Sequence, residues 1–161
     1  KTSSFFDLKD TLAYLCDERR IMAYEYKGFA RCIDSYESYY KVSMEFLDMD
    51  ISTQVFKSTW PIFTNTNDTP PTKYLKNAQV KKSFVANGVI VDGDVEGSIL
   101  SRNVVIGKNA VVKNCIILNG SHVSAGAHLE NVIIDKDARI EKKKELVSVG
   151  EPLYVKEGDV V

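Results

Sequence analysis

Aliphatic residues in the second half of the chain recur at Val95, Leu100, Ile106, Val112, Ile117, Val123, Leu129, Ile134 and Ile140, in steps of 5, 6, 6, 5, 6, 6, 5 and 6 that repeat every 17 residues. A helix needs apolar positions about every 3.6 residues and a half-buried strand every second one, so neither produces this rhythm. Three short strands joined by tight corners, each turning one aliphatic inward, do produce it. The segment Val95-Glu-Gly-Ser-Ile-Leu100 lies over Val112-Lys-Asn-Cys-Ile-Ile117, which lies over Leu129-Glu-Asn-Val-Ile-Ile134. An earlier copy, Val80-Lys-Lys-Ser-Phe-Val85, belongs to a coil two residues shorter. The expected fold class is mainly β, a left-handed parallel β-helix of triangular section over residues 80–161. Gly88, Gly93, Gly107, Asn119-Gly120 and Gly126 are suited to corners that need positive φ. Ser98, Ala110, Ala127 and Ala138 are small enough for the same corners.

Residues 1–48 follow other periods. Leu8, Leu12 and Leu15 fall on one face of a helix spanning residues 7–20, and Ile21 to Tyr26 alternates as a short strand that Gly28 turns. A second helix is expected to start at Asp34, with Glu37 completing a capping box and Tyr36, Tyr40, Met44 and Leu47 forming its apolar stripe. Two helices and one strand do not close a core, so this stretch has the character of the carboxy-terminal remnant of a larger α/β domain. Residues 49–79 form a linker, in which Trp60-Pro61 and Thr69-Pro70-Pro71 impose extended backbone and Trp60 and Phe63 are the expected packing anchors.

Lys and Arg total 21 against 22 for Asp and Glu, a net charge of -1 that provides no basic field for nucleic acid. The longest aliphatic runs are three or four residues, far short of the roughly 20 that span a bilayer. The first residues lack a secretory signal, and a start at Lys1 is expected of a chain that begins mid-protein. Cys16, Cys32 and Cys115 are odd in number and widely spaced, as expected for free thiols in a reducing cytoplasm and not for a zinc or disulfide framework.

The order of these elements resembles the carboxy-terminal part of bacterial glucose-1-phosphate adenylyltransferase (ADP-glucose pyrophosphorylase). Ala23-Tyr-Glu-Tyr-Lys-Gly28-Phe is similar to the family strand leading into its Gly-Tyr-Trp-x-Asp-Val-Gly-Thr motif. Ser38-Tyr-Tyr-Lys-Val-Ser-Met-Glu-Phe-Leu47 resembles the helix that follows it, and Trp60-Pro-Ile-Phe-Thr and Pro70-Pro-Thr-Lys73 resemble the family linker. The resemblance implies a nucleotidyltransferase remnant followed by a hexapeptide-repeat prism, taking part in the formation of ADP-glucose from ATP and glucose 1-phosphate. Laid without a gap on the motif, Gly28-Phe-Ala-Arg-Cys-Ile-Asp-Ser35 puts Ala30 in place of the Trp and Cys32 in place of the Asp that the resemblance makes a metal-binding catalytic carboxylate. A thiol is a poor ligand for hard Mg²⁺, the cofactor expected of the holoenzyme. The departure resembles the regulatory, GlgD-like subunit type. Its expected partners are a catalytic adenylyltransferase subunit or further copies of itself, with a sugar-phosphate or nucleotide effector. The 161 residues contain no Gly-rich nucleotide loop, so no catalytic residue, cofactor site or metal site is expected here.

Four other features carry sharper readings. His122 and His128 would serve as bases in a hexapeptide-repeat acyltransferase, the alternative function, yet each precedes an inward aliphatic and is expected to point outward. Arg102 and Lys156 are candidates for an anionic effector site, and Lys142-Lys-Lys144 is expected to be a solvated turn. Cys115 takes the repeat position of Ser98 and is expected to pack. A pure assembly module, holding subunits together through flat faces and open strand edges, is the remaining alternative.

Overall fold

The computed structural model describes residues 8–64, 67–141 and 145–161. From Lys73 onward the chain winds through five coils, each giving one strand to each of three parallel five-stranded sheets. The first sheet stacks Lys73–Tyr74, Ile90–Val91, Val105–Ile106, His122–Val123 and Arg139–Ile140. Gln79–Lys81, Asp94–Glu96, Val111–Lys113, His128–Glu130 and Glu145–Val147 form the second, and Phe84–Val85, Ile99–Leu100, Ile116–Ile117, Val132–Ile134 and Leu153–Val155 the third. Register follows the repeat: Val112 pairs with Val95 and Leu129, and Ile117 with Leu100 and Ile134. Val91, Ile106, Val95, Val112, Leu129, Leu100, Ile117 and Ile134 are all at most 1% exposed and fill the prism. Each such side chain contributes about 1.5–3 kcal/mol on burial, so the stack carries its own core. The first solenoid strand begins at Lys73, and Gly88 N donates to Pro70 O, so the coil starts ahead of the boundary at residue 80 and takes in the end of the linker.

Two coils break the period. Between Ile90–Val91 and Asp94–Glu96 only Asp92 and Gly93 turn the corner, where the next coil uses Gly107 to Ala110. Gly93 and Gly107 do not adopt the positive φ expected of them; they are needed for space. A Cβ on Gly93 would lie 2.3 Å from the Ala110 carbonyl oxygen, and one on Gly107 would lie 2.5 Å from the Ala125 amide nitrogen. Positive φ is instead supplied by Gly88, Gly120 and Gly126 as expected, and by Gly97, Asn103, Asn109, Asn114, Asn131 and Asp137. Asn and Asp tolerate that region because their short polar side chains bond locally. The last coil is longer: Ile134 pairs with Val155, and residues 148–152 occupy the corner that Asn131 alone turns one coil earlier.

Among the described residues three helices precede the solenoid: α1 (Leu8–Glu18), α2 (Tyr36–Glu45) and α3 (Met49–Val55), the last inside the stretch read as linker. Asp7 and the Leu8 side chain, invoked for the first helix's start and face, lie outside what is described, while Leu12 is 44% exposed. Residues 20–27 run without regular structure; the expected strand does not form, because among the described residues no second strand takes up its backbone groups. The second helix starts one residue later than expected. Ser35, not Asp34, is the N-cap, and Ser38, not Glu37, completes the reciprocal box, since its hydroxyl accepts from the Ser35 amide while Ser35 Oγ accepts from the Ser38 amide. Trp60 and Phe63 are 77% and 90% exposed, so neither anchors the linker. Among the described residues no helix is long and apolar enough to cross a membrane.

Candidate functional site

The outer faces of the three sheets differ in chemistry. Along the first, the outward residues are Lys73, Ile90, Val105, His122 and Arg139; along the second they include Lys81, Glu96, Lys113 and Glu130. Along the third every outward residue is apolar or aromatic: Phe84, Ile99, Ile116, Ile133 and Tyr154. Ile116 and Ile133 are each 1% exposed although they point out of the prism. Helix α2 covers them.

The helix lies along the solenoid axis with its amino end at the last coil and its carboxy end at the first. Tyr36 stacks on Tyr154, ring centroids 4.3 Å apart. One turn later, Tyr40 Oη donates to the Asn114 carbonyl at 2.7 Å, with Asn131 Oδ1 at 3.2 Å. Met44 and Leu47 then reach a groove of about 790 Å³ that they share with Met49, Lys82 and Phe84. Ten residues of helix span about 15 Å and four coil steps about 19 Å, so one short helix bridges nearly the whole stack. The stripe read from the sequence is therefore the docking face. Its opposite side packs on the preceding segment: Val42 is buried, Phe29 meets Phe46 at 5.3 Å, and Arg31 pairs with Glu45 at 2.9 Å.

Polar groups fix the contact at its amino end and at its middle. Tyr154 Oη donates to Asp135 Oδ2 at 2.6 Å, which raises the Tyr154 pKa above the usual phenol value. Burial, reinforced by the negative charges that Cys115 and Glu130 can carry, pushes the Tyr40 phenol up to about 12. Between the amino end of α2 and the third sheet lies a cleft of about 520 Å³ lined by Ile33, Tyr39, Leu118 and Asp135 among others. The double aliphatics in each repeat copy were the available signal for this surface, because two consecutive apolar residues in a strand mean that both faces are covered.

The residues singled out for chemistry do not converge. Cys32 is an exposed thiol in a segment without regular secondary structure, and its neighbour Arg31 is turned away to Glu45. A soft thiol flanked at two residues by Asp34 does not make the oxygen-rich shell that Mg²⁺ requires, so the residues present do not fit that ion. Among the described residues no cluster of three His, Cys, Asp or Glu is arranged to hold a metal. His122 lies on the outer face of the first sheet and His128 on that of the second, where its Nε2 is 4.0 Å from Glu130. Arg102 and Lys156 sit at one corner of the prism three coils apart, about 14 Å along the axis. Lys142–Lys144 lies outside the described residues. Cys115 is fully buried, its amide donating to Ser98 Oγ at 3.0 Å and its Sγ to the Lys113 carbonyl. Ser83, Ser98 and Cys115 form one ladder through successive coils, which makes Cys115 a structural residue.

Over 139 residues, 86% of this chain, the sequence is 45% identical to glycogen biosynthesis protein GlgD of Bacillus subtilis, covering 40% of that protein. It is 51% identical over 70 residues, 44% of this chain and 20% of the relative, to glycogen biosynthesis protein GlgD of Geobacillus stearothermophilus. It is 32% identical over 116 residues to glucose-1-phosphate adenylyltransferase of Corynebacterium jeikeium, 71% of this chain and 29% of the relative. The chain thus spans 40% or less of the length of these curated relatives. Residues 70–152 match the family model described as GlmU-like, C-terminal hexapeptide, a span that includes the Pro70 contact to the first coil and reaches into the last. That match covers more than half of the 161 residues, and the chain belongs to the GlmU-like C-terminal hexapeptide family.

Proposed function

We propose that this chain is the solenoid-bearing part of a GlgD-type subunit that acts in glycogen biosynthesis without itself carrying the catalytic site, in the cytoplasm and in complex with a glucose-1-phosphate adenylyltransferase. The observation that carries the reading is the 45% identity to glycogen biosynthesis protein GlgD, which extends through 139 residues. A span of that length takes in sequence outside the matched residues 70–152, so the likeness is not one of repeat pattern alone. Cys32 supports it, since a thiol replaces the hard carboxylate on which Mg²⁺-assisted phosphoryl transfer depends. Mg²⁺ would then be held by the partner enzyme.

In this reading the solenoid assembles the complex, and α2 links it to the segment 28–35. A sugar phosphate or nucleotide would act at a site shared with the rest of the complex, since Arg102 and Lys156 stand apart. The test is co-purification of the full-length parent with the adenylyltransferase of the same organism, followed by assay of ADP-glucose from ATP and glucose 1-phosphate. The parent alone should be silent, and its presence should change the partner's turnover or effector response. Turnover by the parent alone at the partner's rate, or no complex between them, would overturn the proposal.

A further inference from the structure

The outer face of the second sheet carries a row of charges that alternate in sign from coil to coil. Lys81, Glu96, Lys113 and Glu130 stand in register on consecutive coils, alternating in sign along the axis at about 4.8 Å per step. Such neighbours are close enough to pair. Among the described residues none of them does: the only ion contact in the row is Glu130 with His128 at 4.0 Å. α2 lies on the third sheet, and in the row itself Lys81, Glu96 and Lys113 are exposed while Glu130 is half-buried.

We propose that this face is a self-complementary contact for a second copy of the chain. A row of four alternating charges reads with opposite sign from its other end. A two-fold axis lying along the strand direction between Glu96 and Lys113 turns the partner solenoid antiparallel and sets Lys81 opposite Glu130 of the partner subunit and Glu96 opposite Lys113 of the partner subunit. The adjacent outward row, Gln79, Asp94, Val111 and His128, then places Gln79 against the partner's His128 and no like charges directly opposite. Four coils and one strand width bury only about 300 Å² per copy, short of the roughly 800 Å² of a stable interface, so this contact alone is weak and salt-sensitive. It stands independently of the metabolic reading, as one interface of a larger assembly.

A charge-swap series on the 161-residue chain tests it. K81E/K113E makes the row uniformly acidic and E96K/E130K makes it uniformly basic. By sedimentation at roughly millimolar chain and low salt, the parent should self-associate, each double variant should lose this about tenfold or more, and an equimolar mixture of the two should regain it. K136E/K156E shifts the net charge as K81E/K113E does but at the remote corner, so its mixture with E96K/E130K should show no such gain. Thermal melts of each variant separate loss of contact from loss of fold. A parent that stays monomeric at low salt, a mixture no more associated than its parts, or an equal gain with the remote-corner variant overturns the proposal.

Discussion

Tyr36, the first residue of α2, stacks on Tyr154 of the last coil with ring planes 19° from parallel and centroids 4.3 Å apart. Tyr36 follows Cys32 by four residues, so the segment 28–35 leads directly into the contact with the last coil. The far ring of that contact is fixed in turn by the bond from Tyr154 Oη to Asp135 Oδ2.

Removing that ring should loosen the amino end of α2 without unwinding the prism. In Tyr154→Ala, amide exchange of residues 36–40 should speed up about 3- to 10-fold, the range expected for a lost aromatic pair, while Val112 and Leu129 remain protected. Tyr154→Phe keeps the stack and loses only the bond to Asp135, so it should fall between the two. Exchange that is unchanged in Tyr154→Ala would mean the stack does not hold the helix.

A truncation starting at Pro70 should keep the solenoid, because each coil buries its aliphatics against its neighbours and five coils exceed the minimum of about three. It should not remain well behaved, since loss of α2 uncovers Phe84, Ile99, Ile116, Ile133 and Tyr154 as one apolar stripe. The expected outcome is a β-type circular-dichroism spectrum with increased dye binding and self-association. Introducing Ile133→Ser and Ile116→Ser into the truncation should relieve both, whereas in the full chain the same pair should release α2.

Much of this arrangement is written in the residues, but in two unequal parts. The 17-residue rhythm of Val95, Val112 and Leu129 dictates the prism because only a three-cornered coil returns one aliphatic inward at that spacing. The stripe Tyr36, Tyr40, Met44 and Leu47 is equally plain, and so are Ile99-Leu100, Ile116-Ile117 and Ile133-Ile134. That the stripe and the outer residues of those pairs are each other's partners is not legible, because pairing across 74 to 91 positions, as for Tyr40 with Asn114 and Asn131, leaves no local period. The corners hide for another reason. Gly93 and Gly126 look alike in sequence, yet one is required for space and the other for its backbone angle.

That difference is measurable. Gly93→Ala drives a methyl group into the Ala110 backbone and should cost about 1–3 kcal/mol, a fall in melting temperature of about 2–4 °C per kcal/mol for a chain of this size. At Gly126, where φ is +71° and the space is open, Ala should cost about 1 kcal/mol from the left-handed backbone and Asn much less. Asn109 already holds that corner one coil earlier. Equal losses for Gly126→Ala and Gly126→Asn would contradict the assignment.

Thiol chemistry should separate the three cysteines. Cys16 and Cys32 are exposed and should react with a disulfide reagent at pH 8, while Cys115 should react only after denaturation. Burial pushes the Cys115 thiol from an ordinary 9.0 up to about 12, so the folded state favours its neutral form. The linked stability is complete below pH 9 and is lost as pH rises through 12, and Tyr40, raised from 10.0 to about 12, adds to the loss over the upper part of the same window. Alkaline unfolding should therefore set in above pH 9, and Cys115→Ser should delay it, because a serine at that position continues the ladder of Ser83 and Ser98 and does not ionise there. An unshifted alkaline transition in Cys115→Ser would remove the thiol from the cause.

The most direct expectation for the chemistry concerns Cys32. Cys32→Asp places one oxygen ligand on an exposed segment without regular structure, with Asp34 two residues away and Arg31 committed to Glu45. A single flexible carboxylate does not preorganise Mg²⁺ between reacting phosphates, and phosphoryl transfer depends almost wholly on such positioning and charge neutralisation. The phosphate-cradling Gly-rich loop is also not among these 161 residues. Neither the chain nor its Cys32→Asp variant should therefore form ADP-glucose from ATP and glucose 1-phosphate with Mg²⁺. The measurement is diphosphate release against an enzyme-free blank, repeated after a second purification. Release that scales with Cys32→Asp concentration and survives repurification would show that the carboxylate is the one missing part, and that the remaining machinery lies within this chain.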